Sequence, residues 1–520
     1  MTKAQYNLSE TTIDPISVPW WTSSRLGLAI LGFFGFINVY ALRVNMSVAI
    51  VCMVNRTAIQ TNSQDQNGNV TKNEVGCGFG LNTSGTSNFE DGEYIWDKTE
   101  QGFILGAFFW GYLATQIPGG WLATKFGGKR VFGWSMCMAT IATLFTPLAA
   151  NVNRSGTLLI VLRILVGFSS GAVFPAMHAL WGNWAPPMER SKLTAFTYAG
   201  AQVGNVITFP LAAVLCKYGF AGGWPSIFYV LGTVNFVWFV LWMLLVSDNP
   251  MEHKRISKIE QEYIVMSLAE SRHAETGKDL DVPWKSILTS LPVLAIVVSN
   301  ITSDWGAYTL LTNIPTYMSE VLKLDITSNG LYSALPYVAF WAMINIAGWM
   351  ADFFRERRFM NTTMTRKIFD SFGKIVPALM LICLGYVDCT TPTLAIVLLI
   401  LAVSLTGFQY SGYLINHVDI APPYAGILFG ISNSIASVTG FISPSVVGAI
   451  TNKAQTQDEW QKVFYIAAAI YAFGAVFYLI FGSGELQDWA REKRDLELNV
   501  EMEPLKMDEE KPPVDNNVNI

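Results

Sequence analysis

Two arginines stand where arginine is costly. Arg43 lies well inside one long apolar run and Arg163 lies early in another, and a charged side chain near the centre of a bilayer costs roughly 2.5–3.5 kcal/mol on insertion scales. A guanidinium stays charged at physiological pH and holds its donors in a planar fork that matches a carboxylate or phosphate. The chemistry such residues suit is the gripping of an anion. Tyr40 and Ser47 fall three and four residues from Arg43 and share its helical face. The competing role for Arg43 is an internal ion pair; for Arg163, nearer a helix end, it is snorkelling or packing. A third charge, Asp304, is flanked by Trp305 and Tyr308. It serves either as the seat of a coupling cation or as an ion-pair partner of Arg43 or Arg163.

Phe108, Tyr112, Tyr198, Asn205, Tyr308 and Asn433 are the aromatic and small polar candidates for the walls of an anion pocket, although most aromatics in apolar helices simply pack. Of the four histidines, His253 and His273 fall in a central polar segment and His178 lies near a helix end. His417 and Asp419 precede Pro422 and Pro423, where a proton relay competes with a helix-capping role. Gly167-Phe-Ser169-Ser170-Gly171 has the spacing of a hydrolase nucleophile elbow. That motif needs a sharp strand-to-helix turn, whereas this one sits inside an apolar helix, so close helix packing at Gly167 and Gly171, and likewise at Gly200 and Gly204, is expected instead of enzyme chemistry. No metal and no organic cofactor is expected, only a coupling ion, H+ or Na+.

The elements that hold these residues are membrane helices. Of the 520 residues 51% are hydrophobic and only 14% are charged, against roughly 25% charged in an average soluble domain. A net charge of -5 without a basic stripe sets nucleic acid aside. Apolar runs long enough to span hydrocarbon are expected over 26–54, 103–123, 131–150, 158–185, 193–216 and 224–246, then over 287–318, 330–351, 372–387, 394–415, 424–450 and 463–482. The expected fold is therefore an all-α polytopic membrane protein of twelve transmembrane helices in two six-helix halves. Its parts are a tail over 1–25, an N-terminal half over 26–246 with an outer loop over 55–100, a central loop over 247–286, a C-terminal half over 287–484 and a disordered tail over 485–520. The N-terminal segment, with Glu10 and Asp14, lacks the basic start and apolar core of a signal peptide, so the first span is expected to direct insertion.

Lys and Arg gather in the loops on one side, including Lys125, Lys129, Arg130, Arg190, Lys192, Arg355, Arg357, Arg358, Arg366 and Lys367. That places both termini in the cytoplasm. Glycosylation acceptors at Asn55, Asn69 and Asn82 then fall outside and Asn361 inside. Cys52, Cys137, Cys216 and Cys383 read as small hydrophobes in or beside spans, whereas Cys77 and Cys389, in outer loops, are candidates for a disulfide.

Internal repetition connects the halves. Gly120-Trp-Leu-Ala-Thr-Lys-Phe-Gly-Gly-Lys-Arg130 returns as Gly348-Trp-Met-Ala-Asp-Phe-Phe-Arg-Glu-Arg-Arg358, and Ala199-Gly200-Ala-Gln-Val-Gly204-Asn205 returns as Ala425-Gly426-Ile-Leu-Phe-Gly430 with Asn433 close behind. Both echoes share nearly one register, as alternating access by two related halves requires. The Gly-x-x-x-Asp-x-x-x-x-Arg-Arg pattern resembles the signature loop of the major facilitator superfamily, with Thr124 in place of Asp in the first copy and Asp352 kept in the second, so a gating charge pair is expected only in the second. Tyr40-Ala-Leu-Arg-Val-Asn45, Thr115-Gln-Ile-Pro-Gly-Gly120, Phe174-Pro-Ala-Met-His178, Trp184-Ala-Pro-Pro187 and Asn416-His-Val-Asp-Ile-Ala-Pro422 resemble the anion/cation symporter branch. That branch contains sialin, vesicular glutamate transporters and type I sodium-phosphate cotransporters, and the sialin-like members are nearest.

The resemblance implies a solute carrier for sialic acid, acidic sugars, acidic amino acids, other organic anions or phosphate, with Arg43 as its binding arginine. One departure bears on coupling. Sialin-like and glutamate-carrying members place a carboxylate at Ser170, and sialin-like members another at Val166, so proton coupling does not carry over by resemblance. Cation-coupled symport is the main expectation. Sodium-dependent phosphate cotransport and voltage-driven anion movement are the alternatives, and a fixed anion channel is the rival class. The carrier is expected to be a monomer in the plasma membrane or a lysosomal or vesicular membrane.

Overall fold

The computed structural model describes residues 23–55, 58, 92–275, 282–452 and 454–490. Cys77 and the acceptors at Asn69 and Asn82 lie outside these residues, as does the chain beyond 490.

Backbone amides in hydrocarbon must be satisfied within their own segment, and nearly every described residue is helical. The six spans of the first half are Ser24–Met53, Lys98–Phe126, Gly128–Val152, Thr157–Gly171 continued by Val173–Trp184, Pro187–Tyr218 and Trp224–Leu245. Those of the second half are Leu291–Glu320, Ile326–Glu356, Thr362–Leu384, a broken tenth span, an eleventh made of Ala425–Ala436 and Thr439–Thr451, and Gln457–Phe481. The tenth runs through Pro392–Ser404, a 3-10 stretch Leu405–Ser411 and Tyr413–Ile420, with its break at Gly412. Among the described residues nine of these helices are long and apolar enough to cross a membrane by composition alone. The second, seventh and ninth fall short; the second carries buried Lys98, the seventh buried Glu320 and the ninth buried Arg366, Asp370 and Lys374.

The two halves use the same packing scheme. The first span packs on the fifth, the second on the fourth and the third on the sixth; correspondingly the seventh packs on the eleventh, the eighth on the tenth and the ninth on the twelfth. Between halves the second span meets the eleventh and the fifth meets the eighth, which are equivalent pairs in the repeat. Glycines permit the closest approaches. A Cβ on Gly167 would stand 1.7 Å from the Phe108 carbonyl oxygen, and one on Gly200 would stand 2.1 Å from that of Phe33. The repeat is unequal here, because Gly426 and Gly430 face open space.

Several boundaries differ from those read in the sequence. The second span begins at Lys98 and the seventh ends at Glu320, each beyond the apolar run. The ninth begins at Thr362, not near Phe372, because Arg366, Asp370 and Lys374 lower its hydropathy while all three are buried. Arg366 is thus not a loop charge. Cys52 and Cys216 are not separate hydrophobes but form a disulfide tying the ends of the first and fifth spans, and Cys389 is also disulfide-bonded. Residues 485–490 do not trail away: the Gln487 backbone N–H donates to the Ile420 carbonyl at 2.9 Å and Ala490 is buried.

The end of the bundle bearing the termini is organised by Arg25. Its Nη1 lies 2.5 Å from Glu189 and its Nε 3.1 Å from Glu260, while the Ser24 and Arg25 backbone N–H groups donate to the Glu260 carboxylate. The surface helix Lys258–Glu275 is thereby fastened to the first half.

Candidate functional site

Arg43 lies between the halves, 7% exposed, inside a box of aromatic rings. Its guanidinium carbon is 4.8 Å from the ring centre of Phe109, 4.9 Å from Tyr308, 5.3 Å from Tyr40 and Phe108, and 5.4 Å from Tyr112. The second span sets Phe108, Phe109 and Tyr112 on one face by its i, i+3/i+4 spacing, and the seventh brings Tyr308 from the other half. Each ring can stabilise a desolvated cation by up to about 2 kcal/mol. None cancels its charge. Among the described residues Arg43 makes no ion pair, and its Nε and Nη2 are buried without a hydrogen-bond partner. A small cavity beside it is lined by Arg43, Ser47, Phe108, Phe109, Arg163 and Thr312. Two idle donors of a fixed planar fork, facing a cavity, can receive an anion and little else.

Arg163 reaches the same cavity with both terminal nitrogens engaged and only Nε unpartnered. Its Nη1 donates to the Leu42 carbonyl at 3.1 Å and to Asn45 Oδ1 at 3.2 Å, and its Nη2 donates to the Arg43 carbonyl at 2.9 Å. It holds the backbone that carries Arg43. Asp304 forms no ion pair with either arginine within 4.0 Å, yet lies near enough to Arg43 and Tyr308 for both to act on it electrostatically.

The remaining candidates scatter. Tyr198 packs edge-on to Phe36 and against Phe174 and His178, away from the Arg43 box. Ser170 donates back to the Val166 carbonyl of its own helix at 2.8 Å. His417 bonds the Leu414 carbonyl through Nδ1 and Ser432 through Nε2, so both ring nitrogens are engaged locally. Asp419 pairs with Arg366 at 2.6 Å within its own half. Asp352 is exposed and lines a charged cleft with Arg355, Glu356 and Arg358 at the terminus-bearing end. Asn55 accepts from the Ala58 backbone N–H at the end of the first span. Asn205 is buried with its side-chain oxygen unpartnered.

Sequence reasoning missed four features. Phe109 is the ring nearest Arg43, and its position one residue from Phe108 on a face shared with Tyr112 was the available signal. Lys98 and Glu320 form a buried ion pair across the halves at the end opposite the termini, where Trp460 Nε1 also donates to Glu320 and the Lys98 backbone N–H donates to Asn452. Gln116 bonds Asn433 and Ser437 across the same divide, one turn beyond Tyr112. Asp370 and Lys374, both fully buried, form an ion pair inside the ninth span.

Two six-helix halves of matching packing, with an uncompensated cation held between them, define a membrane transporter and not an enzyme. The family profile of the Major Facilitator Superfamily matches residues 28–444, and the chain belongs to that superfamily. It is 45% identical over 474 residues to human sialin, covering 91% of this chain and 92% of sialin. It is 39% identical over 465 residues to a putative inorganic phosphate cotransporter of Drosophila ananassae, covering 89% and 93%. The inward-open xylose transporter XylE of E. coli has the same fold, with a TM-score of 0.63 at 12% identity over 88% of this chain and 96% of that one.

Proposed function

We propose that this protein is a secondary active carrier of small anions that works by alternating access, with Arg43 as the group that grips the anion. The observation that carries this reading is the Arg43 guanidinium, buried among five rings with two idle donors and no carboxylate within ion-pair distance, Asp304 acting on it only from beyond that range. An unpaired buried charge is strongly destabilising, so a negative solute supplies what the fold withholds. The ring walls favour an organic carboxylate with an apolar face, such as sialic acid, an acidic sugar or an acidic amino acid, over phosphate. The phosphate alternative draws support from the Drosophila relative's name.

The end carrying Lys98 and Glu320 is closed, whereas the first segment of the eleventh span leaves Gly426 and Gly430 facing open space near the termini. With both termini cytoplasmic, the end closed by Lys98 and Glu320 is the outer one of a monomeric carrier in a plasma, lysosomal or vesicular membrane. The transported anion is coupled to H+ or Na+, and Asp304 stands next to Arg43 as one acceptor for such an ion.

The test is counterflow in liposomes containing the purified protein, using labelled sialic acid, glutamate and inorganic phosphate with pH, sodium and voltage varied separately. Saturable uptake accelerated by unlabelled anion on the opposite side is the expected result. Single-channel currents, or uptake indifferent to the opposite side, would overturn the carrier.

A further inference from the structure

A second charged site lies away from the Arg43 box and is joined to it by one helix. Asp370 and Lys374 sit a turn apart in the ninth span, each with no exposed side-chain surface, 2.6 Å apart. Ser299 of the seventh span completes a triangle: Lys374 Nζ donates to its oxygen at 2.5 Å and its hydroxyl donates to Asp370 Oδ1 at 2.9 Å. Asp370 Oδ2 is buried without an aligned hydrogen bond, and the Tyr413 backbone N–H acts on the same carboxyl. From the broken tenth span the Tyr413 ring covers Lys374 at 5.0 Å, and a Cβ on Gly412 would meet the Asp370 backbone nitrogen at 2.7 Å. Tyr478 of the twelfth span and Arg366, paired with Asp419, also face this cluster, and Asp304 and Tyr410 act on Tyr413.

The seventh span presents a polar stripe between the two sites. Ser299 touches Asp370; Asn300 accepts from Tyr413 at 2.9 Å; Ser303 bonds Gln409, which donates to the Gly373 carbonyl; Asp304 and Tyr308 then reach Arg43. Residues three and four apart along a helix share a face, so whatever moves Tyr308 also moves Ser299.

We infer that Asp370 and Lys374 form the site at which a proton is exchanged during anion transport. The inference rests on the carrier reading above and deepens it. A bound metal cation would need the place between Asp370 and Ser299 that the Lys374 ammonium already fills, so the ligand is a proton. Taking it up turns the Asp370 carboxylate into a neutral acid and leaves Lys374 as an unpaired ammonium. That dissolves the triangle holding the ninth span to the seventh. The anion acts on the same span through Tyr308, and two ligands biasing one element are thermodynamically coupled.

The test uses the double variant Asp370→Asn/Lys374→Met, since removing both members of a buried pair leaves no uncompensated charge and is often tolerated. Counterflow without gradients, with whichever of sialic acid, glutamate and phosphate the wild type exchanges best, is expected within about threefold of wild type, while accumulation driven by a pH gradient is lost. Double-variant protein that still accumulates the anion with wild-type dependence on the pH gradient would overturn the proton site. Loss of counterflow in the wild type would instead sink the carrier reading. A measurement on wild-type protein guards against misfolding: adding the anion to purified protein in weak buffer is expected to change proton binding by about one proton per chain, and no change would equally end the proposal.

Discussion

At the scale of single residues, the contrast between Arg43 and Arg163 decides their roles. Both are buried arginines of the first half, but Arg163 spends both terminal nitrogens on Leu42, Arg43 and Asn45 and leaves only Nε unpartnered, while Arg43 leaves Nε and Nη2 unpartnered. Arg163→Ala is therefore expected to act on stability: losing charged hydrogen bonds costs about 2 kcal/mol or more, read as a lower thermal midpoint in detergent. An unchanged midpoint with abolished anion binding would instead make Arg163 a direct ligand. The sequence put four of the five rings, Tyr40, Phe108, Tyr112 and Tyr308, among its candidates and omitted Phe109. It could not rank them against Tyr198, whose ring is equally placed along its helix but turns toward Phe36 and Phe174. Which way a ring faces is set by helix rotation, and that is decided by partners distant in the chain.

At the scale of helices, the spans were legible wherever hydrocarbon alone decides and were misread where the interior is polar. The second, seventh and ninth spans pair or bridge their buried charges with neighbours, so a hydropathy reading starts the second at 103 instead of Lys98, ends the seventh at 318 instead of Glu320 and starts the ninth at 372 instead of Thr362. Asp370 and Lys374 were lost from sight for that reason. Helix ends outside the membrane respond to acid in opposite senses. Asp325 caps the eighth span through the Thr327 and Ser328 N–H groups, and these donors with Lys217 hold its carboxyl below the ordinary 3.8. Its contribution is present above pH 3.8 and is lost only as pH falls through the depressed value. Burial instead raises the carboxyl of Asp248, which accepts from the Lys129 N–H at 2.7 Å, so its ionisation costs stability as pH rises past 3.8. Asp325→Ala is expected to lower the thermal midpoint at pH 5 as much as at pH 7; a loss confined to pH 7 would contradict the depressed carboxyl.

At the scale of the whole molecule, the repeat supplies two similar bodies and the ion pair at one end supplies their lock. Lys98 and Glu320 join the halves at the end opposite the termini, and removing one partner would leave the other's charge buried at a cost of about 3–5 kcal/mol. Lys98→Glu alone is expected to slow counterflow at least tenfold, whereas Lys98→Glu with Glu320→Lys recovers most of the rate. Equal defects in the single and swapped variants would show that the pair is not a lock.

Whether an anion completes the charge of Arg43 is tested by Arg43→Ala when transport and stability are measured together. Liposomes carrying this variant are expected to show no more labelled-anion counterflow than empty liposomes. The detergent-purified variant should melt no lower than wild type, because an uncompensated buried cation has been removed, and should gain nothing on adding the anion. Wild-type rate and affinity in Arg43→Ala would contradict it.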